Sequence, residues 1–394
     1  MRILVLSFYY SPDLSAGSFR ATALVQALRQ LAPHAQVDVV STLPNRYSSF
    51  SQSAQELESH DRLEIRRIAL PAHRSDMLGQ SRAFAHFARR ALAHTAARAY
   101  DAVFATSSRL MTAALGARIA RRAGTRLYLD IRDIFVETIH DVLPGPLAFP
   151  TKHAFAALER WTIRSADRIN LVSPAFQSYF RERYGELSLA AFTNGVDDEF
   201  VAAALAGTDS AAPAADGRLR IVYAGNIGES QALHEILPPL ARELRERVQF
   251  VVIGDGGRRA ALTAALAAQS VGNVELRAPV ARAELLAAYR AADVLFLHLG
   301  PQPAFERVLP SKLFEYAAIG KPVLAGVGGY SARFVREEIS NAAVFAPTDV
   351  QGAVAALRSL HIVDTPRPEF IAKFARSSIA AAMARDILQL AESR

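Results

Sequence analysis

The first 41 residues, MRILVLSFYYSPDLSAGSFRATALVQALRQLAPHAQVDVVS (Met1–Ser41), decide the fold class. A β-rich run, Met1–Leu6, precedes a loop containing Ser, Pro and Gly. A helical apolar pattern, Phe19–Leu31, and a second β-rich run, Val37–Ser41, come next. This order of strand, loop, helix and strand is the unit that builds a parallel sheet. The N-terminal part of the chain is therefore predicted to be an α/β domain.

The alternation of strands and helices continues along the chain and is interrupted once. Residues 202–218, AAALAGTDSAAPAADGR, are small and turn-rich and lack a periodic apolar pattern, which is typical of a linker. We predict an N-terminal Rossmann-like domain over 1–200, a linker over 201–217, a second Rossmann-like domain over 218–367, and a C-terminal helix over 368–394 that can pack back on the first domain. Two doubly wound domains that face each other would enclose one ligand cleft, because open parallel sheets bind ligands beyond the carboxyl ends of their strands.

The composition is that of an ordinary globular protein. Of 394 residues, 51% are hydrophobic and 21% charged, which excludes collagen-like, coiled-coil and largely disordered chains. The chain has no cysteine, which excludes disulfides, thiolate nucleophiles and cysteine-bound metal centres and suits a reducing compartment. No apolar stretch approaches the ~20 residues of a membrane-spanning helix, and the N-terminal apolar run is too short for a secretory signal. We therefore expect a cytoplasmic protein.

The net charge of +7 favours a phosphate-bearing partner. Nucleic acid, an anionic membrane and a diphosphate substrate all satisfy that preference, and the sign of the charge does not choose among them. Nucleic acid is the least expected of the three, because the arginines are dispersed and no compact motif interleaves them with aromatic residues.

The stretch LPSKLFEYAAIGKPVL (Leu309–Leu324) carries the most chemical information. Pro310 and Ser311 are predicted to open a helix after a strand and its loop, which places free backbone N–H groups at the ligand-binding edge of a sheet. Lys312 and Glu315 lie three residues apart, hence on one face of that helix. The lysine suits a diphosphate, and the carboxylate can accept hydrogen bonds from vicinal ribose hydroxyls. The alternative is an exposed Lys–Glu pair that contributes only a few tenths of a kcal/mol.

The segment PSKLFEYAAIGKPVL resembles the nucleotide-sugar motif of the retaining GT-B glycosyltransferases of family 4, in which the residue equivalent to Glu315 holds the donor ribose. The likeness continues through RILVLSFYYSPDLSAGSFRATALVQAL, TNGVDDEF, RIVYAGNIGESQAL, FVVIGDGGRRAAL and LLAAYRAADVLFLHL, and so covers nearly the whole chain. It implies the GT-B fold, with two Rossmann-like domains facing a central cleft, and a nucleoside diphosphate donor, UDP-linked, whose sugar is transferred with retention of configuration. The most similar subgroup includes deoxy-amino-sugar transferases of polysaccharide assembly.

The sequence departs from the family pattern at several places. Many members carry a second glutamate eight residues before the ribose-binding one, but that position is Arg307, with Glu306 one place away. The sequence therefore leaves open which residue contacts the donor sugar. The family's usual Arg and Lys after the first strand of the second domain are replaced by Asn226 and Gln231. We therefore predict that Lys312, with Arg307 from the preceding loop, faces the charge of the leaving diphosphate.

Glycines follow the predicted strands of the second domain and allow a ligand to approach the backbone closely. Each one alone is explained equally well by a tight turn, and none completes a Rossmann fingerprint. The resemblance implies that the loop Gly254–Gly256 and the backbone at Pro279 and Val280 flank the base. The predicted donor-binding residues are Gly17, Gly225, Asn226, Gly228, Gly254, Asp255, Gly256, Pro279, Val280, Pro310, Ser311 and Glu315.

Two segments of the first domain are candidates for substrate contact. Residues 15–18 stand between strand and helix, where N–H groups can meet a phosphate, although a plain βα turn explains them equally well. LDIRD (Leu129–Asp133) ends a predicted strand, and Arg132 stands where many family members have histidine. We predict Arg132 and Asp133 as acceptor or transition-state contacts, the alternative being a buried structural ion pair. His140 is a weaker candidate. The predicted catalytic residues are thus Lys312, Arg307, Arg132 and Asp133.

The sequence contains no Asp-x-Asp motif and no cluster of histidines and glutamates. We expect a metal-independent reaction without a cofactor, in which the nucleotide sugar is a substrate and protein cations and helix dipoles stabilise the departing diphosphate.

Residues 79–99, GQSRAFAHFARRALAHTAARA, form a basic amphipathic pattern that can lie on anionic lipid. An ordinary surface helix explains the pattern about as well. Family members often glycosylate polyprenyl-linked acceptors, so the resemblance favours peripheral association with the inner face of the membrane.

The sequence therefore predicts a glycosyltransferase that moves a sugar to a glycan or polyprenyl-linked acceptor in cell-surface polysaccharide or lipopolysaccharide assembly. Two alternatives stay open: a hydrolysing UDP-sugar 2-epimerase of the same architecture, and a non-catalytic protein that binds nucleotide sugars. The epimerase needs several carboxylates and histidines together, and the sequence offers no clear cluster of them.

Overall fold

The chain folds into two compact units. One consists of residues 1–193 and 376–394, and the other of residues 194–375. The computed structural model describes residues 1–13, 15–45, 53–71, 77–107, 110–134, 136–137, 148–205 and 217–393.

An eight-stranded sheet forms the centre of the N-terminal unit. Its strands are β1 (Arg2–Leu6), β2 (Gln36–Thr42), β3 (Leu57–His60), β4 (Leu63–Ile68), β5 (Ala102–Thr106), β6 (Arg126–Ile131), β7 (Arg168–Leu171) and β8 (Leu189–Ala190). The helices that follow them along the chain are α1 (Ala16–Leu31), α2 (Met77–Thr95), α3 (Leu110–Ala123), α4 (Ala148–Arg164) and α5 (Phe176–Tyr184). The strand order is β3-β4-β2-β1-β5-β6-β7-β8, and all neighbours are parallel except β3, which is antiparallel to β4.

The first strand and helix show why this sequence gives a parallel sheet. In β1, Ile3, Val5 and their neighbours Leu4 and Leu6 are fully buried, as expected for a central strand covered by helices on both faces. The loop after β1 ends at Ser15, whose Oγ accepts a hydrogen bond from the backbone N–H of Ser18 at 3.2 Å and so caps α1.

A six-stranded parallel sheet forms the centre of the C-terminal unit. Its strands are β9 (Leu219–Ala224), β10 (Val248–Ile253), β11 (Val274–Arg277), β12 (Val294–His298), β13 (Val323–Gly326) and β14 (Ala342–Phe345). Its helices are α6 (Asp198–Leu205), α7 (Leu233–Glu243), α8 (Arg259–Ala268), α9 (Arg282–Arg290), α10 (Lys312–Ile319), α11 (Gly329–Glu338), α12 (Val350–Ser359) and α13 (Pro368–Phe374). The strand order is β11-β10-β9-β12-β13-β14.

Both sheets are doubly wound, which confirms the predicted architecture of each half. The order reverses between β1 and β5 in the first sheet and between β9 and β12 in the second. In such sheets, ligands bind at the carboxyl ends of the strands beside this switch point. The residues that follow β9 and β12 are therefore the first place to look for a site in the C-terminal unit.

The last helix of the chain, α14 (Arg376–Glu392), belongs to the N-terminal unit, where it packs on α1. Its residues Met383 and Ile387 are buried in the same apolar cluster as Leu24 and Leu28 of α1. The preceding helix, α13, stays with the C-terminal unit, because Phe374 packs edge-on against Phe314 of α10 with ring centroids 5.4 Å apart.

The units divide at 193/194 and 375/376, whereas the predicted domains divide near 200 and 368. The difference arises because α6 packs on α10 in the C-terminal unit. Phe200 of α6 also stacks on Tyr289 of α9, with ring centroids 6.0 Å apart. Of the predicted linker, residues 206–216 lie outside the described part of the chain. No helix in the described ranges combines the length and apolar composition that crossing a bilayer requires.

Candidate functional site

Two polar side chains at the start of α10 meet a tyrosine from α9. The Nζ of Lys312 donates hydrogen bonds to Glu315 Oε2 at 2.9 Å and to the hydroxyl of Tyr289 at 3.1 Å. The Tyr289 hydroxyl donates in turn to Glu315 Oε2 at 3.2 Å. The Glu315 side chain is only 7% exposed, so the exposed-pair alternative does not describe this contact.

The surroundings of Tyr289 keep its phenol protonated. Tyr289 is fully buried, and burial together with the charge of Glu315 raises the pKa of its phenol well above the usual value. The phenol therefore stays a hydrogen-bond donor at neutral pH. Tyr316, one residue after Glu315, accepts a hydrogen bond from the backbone N–H of Ala224 at 3.1 Å and so ties α10 to the carboxyl end of β9. This contact holds the cluster beside the switch point of the sheet.

The glycine loops after β9 and β10 pack directly against each other. A Cβ on Gly254 would lie 1.9 Å from the carbonyl oxygen of Gly225, and φ at Gly254 is +158°. The backbone N–H of Ile227 donates to the carbonyl of Asp255 at 2.8 Å, which joins the two loops further on. The glycines are thus required for this close approach, and their presence alone does not establish a ligand contact.

Asn226 and Gln231, which replace the usual cations of the family, are used inside the loop after β9. Oε1 of Gln231 accepts hydrogen bonds from Asn226 Nδ2 at 3.0 Å and from the backbone N–H of Gly228 at 3.2 Å. The carbonyl of Asn226 accepts from the hydroxyl of Tyr223 at 2.6 Å. These two neutral side chains shape the loop and bring no positive charge to it.

His298, at the end of β12, contacts the loop that follows β9. Its Nδ1 lies 2.8 Å from the carbonyl of Gln231, and its Nε2 accepts from the backbone N–H of Thr348 at 3.0 Å. Because Nε2 is an acceptor, the ring is neutral and Nδ1 donates. Burial lowers the pKa of His298 to about 4. The histidine therefore has a positioning role in this unit and stays uncharged near neutral pH.

Sequence reasoning missed Tyr289 and His298 as parts of this arrangement. Tyr289 meets Glu315 across 26 residues, and His298 meets Gln231 across 67. No local pattern marks such contacts. The position of His298 at the end of a strand beside the switch point is the one signal that could have drawn attention to it.

Arg282, at the start of α9, was also missed. It donates to Glu199 Oε2 at 2.6 Å and pairs with Asp197, both from the TNGVDDEF segment, and its guanidinium lies 4.9 Å from the ring centroid of Phe200. The pKa of Arg282 is raised because nearby carboxylates, Asp197 first, outweigh the effect of burial. In this protein the segment therefore anchors α6 to α9.

The remaining predicted residues of the C-terminal unit lie around this cluster. Arg307 ends a short 3₁₀ turn, Pro303–Arg307, that precedes α10, and it is half-buried. Pro310 and Ser311 lead directly into α10, and Pro279 and Val280 follow β11. The predicted site residues of this unit are Gly225, Asn226, Gly228, Gly254, Asp255, Gly256, Pro279, Val280, Arg307, Pro310, Ser311, Lys312 and Glu315.

The other three predicted residues, Gly17, Arg132 and Asp133, lie in the N-terminal unit. Gly17 is buried in the first turn of α1. The buried ion pair of the LDIRD segment involves Asp130 and Arg20, whereas Asp133 is exposed. Because Asp133 is exposed, its charge acts on Arg132 from the surface and not from within a buried ion pair. His140 lies outside the described residues.

The described part of the chain contains no group of three or more histidine, cysteine, aspartate or glutamate side chains that could hold a metal ion.

Two protein-family models match the chain. The glycosyl transferase 4-like domain matches residues 17–191, and the glycosyl transferases group 1 model matches residues 218–361. Together the matched residues make up about four fifths of the chain. Each model falls within one of the two compact units.

One relative is WcaI of Escherichia coli K12, whose name assigns it provisionally to the glycosyl transferases of colanic acid biosynthesis. The two chains are 30% identical over 105 residues, which are 27% of this chain and 26% of WcaI. The match thus spans about a quarter of that relative.

Several solved structures share the whole fold. HepE of Anabaena, in complex with UDP and glucose, has a TM-score of 0.60 at 16% identity, covering 100% of this chain and 97% of its own. The trehalose 6-phosphate synthase of Burkholderia multivorans has a TM-score of 0.68 at 14% identity, covering 99% and 96%. WaaG, a glycosyltransferase involved in lipopolysaccharide biosynthesis, has a TM-score of 0.61 at 15% identity, covering 100% and 98%. At these identities the likeness shows the fold, and the prediction of a GT-B fold is confirmed.

Proposed function

The chain belongs to the glycosyltransferases, with a 4-like domain in its N-terminal unit and a group 1 domain in its C-terminal unit, and we propose that it transfers a sugar from a UDP-linked donor to a glycan or lipid-linked acceptor. HepE, of the same fold, was solved with UDP and glucose, which supports UDP as the nucleotide. WcaI and WaaG are named for colanic acid and lipopolysaccharide biosynthesis, which supports an acceptor from cell-surface polysaccharide assembly.

The observation that carries the proposal is the buried cluster on α10. Lys312 and Tyr289 both donate to Oε2 of Glu315, and among the described residues none donates to Oε1. Oε1 is therefore open to a ligand hydroxyl, while the side chain of Lys312, 27% exposed, is accessible to an anionic ligand. A ribose with its vicinal hydroxyls, joined to a diphosphate, presents both kinds of group. A neutral polar ligand would not interact with the positive charge of Lys312.

The proposal is tested by changing Glu315 to Gln. We expect UDP binding, measured by calorimetry, to weaken by ~1.5–3 kcal/mol, the worth of hydrogen bonds to a charged group. Glu337→Gln is the matched control, because Glu337 lies on the exposed surface of α11 with 62% of its side chain accessible. Unchanged UDP affinity in Glu315→Gln, with the control also unchanged, would refute the ribose role.

Catalysis is tested separately from binding. UDP release that depends on a glycan or lipid-linked acceptor supports a transferase. A change of the sugar configuration or hydrolysis without acceptor would identify the 2-epimerase alternative, and UDP-sugar binding without turnover would identify a binding protein. Retention is expected with front-face attack, in which the leaving diphosphate takes the acceptor proton. The anomer of the product, read by NMR, checks this expectation.

We further propose that turnover needs no divalent metal. Lys312 and the N-terminus of α10 supply positive charge where the diphosphate would leave, so a metal ion is not required for that purpose. Activity is expected to be the same with and without EDTA. A loss that magnesium or manganese specifically restores would contradict this mechanism.

A contact with anionic membrane is proposed for the helices α2, α3 and α4. The middle helix, α3, contacts both of the others, and the only carboxylate among their described side chains, Glu159, is buried. Their exposed cations are Arg82, Arg89, Arg90, Arg118, Arg121, Arg122, Arg160 and Arg164. The apolar side of α2 is occupied, because Phe84 and Phe87 pack on Phe8. The proposed contact is therefore electrostatic and does not involve insertion of that face into lipid.

A further inference from the structure

A row of buried polar side chains lies at the carboxyl edge of the N-terminal sheet. Thr106 ends β5 and pairs in register with Asp130 of β6, which pairs in turn with Asn170 of β7. All three side chains are no more than 3% exposed. This edge is next to the switch point between β1 and β5, where an open parallel sheet binds ligands.

In this row, the carboxylate of Asp130 is hydrogen-bonded to Arg20 and Asn170. Its two oxygens accept the fork of Arg20, with Nε to Oδ2 at 2.9 Å and Nη2 to Oδ1 at 3.0 Å. Oδ1 also accepts from Asn170 Nδ2 at 2.7 Å. Arg20 continues to the backbone carbonyls of Phe192 and Thr193, so the ion pair has a structural role. The charge of Asp130 is therefore already paired with Arg20.

Arg132 follows the end of β6, two residues after Asp130, and the charge of Asp130 acts on its guanidinium. Its backbone N–H is bound by Ser107 Oγ at 2.9 Å, which fixes the position of the residue. The Nη1 atom of its guanidinium is enclosed and has no hydrogen-bond partner among the described residues. The hydroxyl of Thr106 is likewise buried without a partner.

The carboxylates near Arg132 do not offset its burial. Burial, aided by the positive charges of Arg20 and Arg376, lowers its pKa to about 10 in spite of Asp130 and Asp133. The residue is half-buried and its guanidinium remains protonated at neutral pH, so a partly desolvated positive charge is kept at the ligand edge of the sheet. Such an arrangement costs stability unless a ligand supplies the missing negative charge.

We propose that Arg132 binds an oxyanion carried by the acceptor substrate. A guanidinium only donates hydrogen bonds, and its planar fork matches the paired oxygens of a phosphate or a carboxylate. A neutral hydroxyl would leave the positive charge uncompensated. The assignment of the oxyanion to the acceptor rests on the proposed transfer reaction, whereas oxyanion binding at Arg132 does not depend on it.

The binding test uses inorganic phosphate as the probe, at constant ionic strength and with saturating UDP present. We expect Arg132→Met to weaken phosphate binding about tenfold or more, the loss of a charge-assisted hydrogen bond. Arg132→Lys, which keeps the charge and loses the fork, should fall between Arg132→Met and the wild type. Arg385→Met, an exposed arginine on α14 of the same unit, is the matched control and should bind as the wild type does. Equal phosphate affinity in Arg132→Met and wild type would overturn the proposal.

Thermal unfolding of the ligand-free protein gives a second, independent readout. Because Met fills a similar volume without a charge, Arg132→Met should raise the melting temperature of the N-terminal unit. A merely structural arginine would give the opposite result, since its removal would break contacts. A lower melting temperature would therefore overturn the assignment of Arg132 as a group kept unpaired for a ligand.

The source of the oxyanion is decided by competition and by matched sugars. Phosphate affinity should not change when UDP is added, and displacement by UDP would assign the site to the donor diphosphate and overturn the acceptor role.

Glucose 6-phosphate carries a phosphate and glucuronic acid carries a carboxylate on the same sugar framework, and the one that binds more tightly identifies the oxyanion. Equal binding of neutral glucose would overturn the proposal. If UDP does not bind at all, the proposed donor function fails, while the comparison of Arg132→Met with wild type still decides this site.

Discussion

Lys312 contacts Glu315 in the ligand-free protein, and we propose that it also faces the donor diphosphate. It neutralises the buried carboxylate of Glu315 at 2.9 Å, and it lies at the start of α10, where a diphosphate would meet the helix N-terminus. Its aliphatic stem lies next to Gly225, since a Cβ there would come within 3.8 Å of the lysine Cε. The cluster therefore places the ammonium beside the first glycine loop before any ligand arrives.

Lys312→Ala should lower kcat by about 10²–10³-fold, the effect of removing one preorganised electrostatic group, with a smaller change in donor affinity. Arg307→Ala should act in the same direction more weakly, because a loop holds its side chain less firmly than a helix does. Steady-state kinetics with the donor varied separates kcat from KM. Lys373→Ala, at an exposed lysine paired with Glu338, is the control. Near wild-type kcat in Lys312→Ala together with its loss in Arg132→Ala would place the charge-stabilising group in the N-terminal unit.

His298 gives the C-terminal unit a predictable response to acid. Its pKa is about 4 in the folded protein, below the ordinary value of about 6.5 that it regains on unfolding. Above pH 6.5 both states are neutral at this residue, and its contribution to stability is fully present. As the pH falls toward 4, the unfolded state takes up a proton that the folded state refuses, so up to ~3 kcal/mol of stability is lost.

The measurement is the free energy of unfolding of the C-terminal unit in urea between pH 8 and pH 4, for wild type and His298→Gln. Glutamine can donate to the carbonyl of Gln231 and accept from the N–H of Thr348, and it does not titrate. We expect the wild type to lose more stability than the variant over this window. Parallel pH profiles for the two proteins would show that His298 does not titrate as its burial implies.

At the scale of the element, the amphipathic helix α2 has an apolar side and a polar side with different surroundings. Its apolar side packs into the protein, where the rings of Phe87 and Phe8 lie 5.3 Å apart. Its polar side exposes Arg89 and Arg90 on the same surface as the arginines of α3. An amphipathic pattern alone does not reveal whether the apolar side faces lipid or protein, and here it faces protein.

Replacing Arg89 and Arg90 by Glu should reduce sedimentation of the protein with anionic vesicles, because each basic residue near such a surface contributes ~1 kcal/mol. UDP binding should be unaffected. The control changes Arg336 and Arg358 to Glu, which alters the net charge equally at exposed positions of the C-terminal unit. If both double variants lose binding alike, the effect is one of net charge, and absence of wild-type binding at low salt would disprove the contact.

At the scale of the whole molecule, two units of the same doubly wound design carry different chemistry at their ligand edges. The C-terminal unit presents a buried carboxylate with a lysine and a tyrosine, Glu315, Lys312 and Tyr289. The N-terminal unit presents the guanidinium of Arg132, whose Nη1 has no hydrogen-bond partner among the described residues, near the Arg20–Asp130 ion pair. The first arrangement suits a ribose and a diphosphate, and the second suits an oxyanion. This division agrees with a donor in one unit and an acceptor in the other, as the proposed transfer requires.

The sequence by itself determined the class of fold and placed the candidate pair Lys312 and Glu315 on one helix of the C-terminal unit. Strand and helix patterns follow from the local spacing of apolar residues, so the repeated βα order predicted two doubly wound halves. The spacing of Lys312 and Glu315 placed them on one helix face, and the structure joins them at 2.9 Å. These properties depend on residues close together in the chain, which is why they could be read from it.

Only the tertiary structure decided which groups complete those local arrangements. Tyr289 reaches Glu315, and Arg20 contacts both oxygens of Asp130 across 110 residues, so the Nη1 of Arg132 has no hydrogen-bond partner among the described residues. The unit boundaries differ from the predicted domains for the same reason, because α6 and α13 flank the connecting segments and pack where aromatic contacts hold them. Hydrogen bonds, burial and charge compensation depend on what is near in space, and the sequence lists only what is near along the chain.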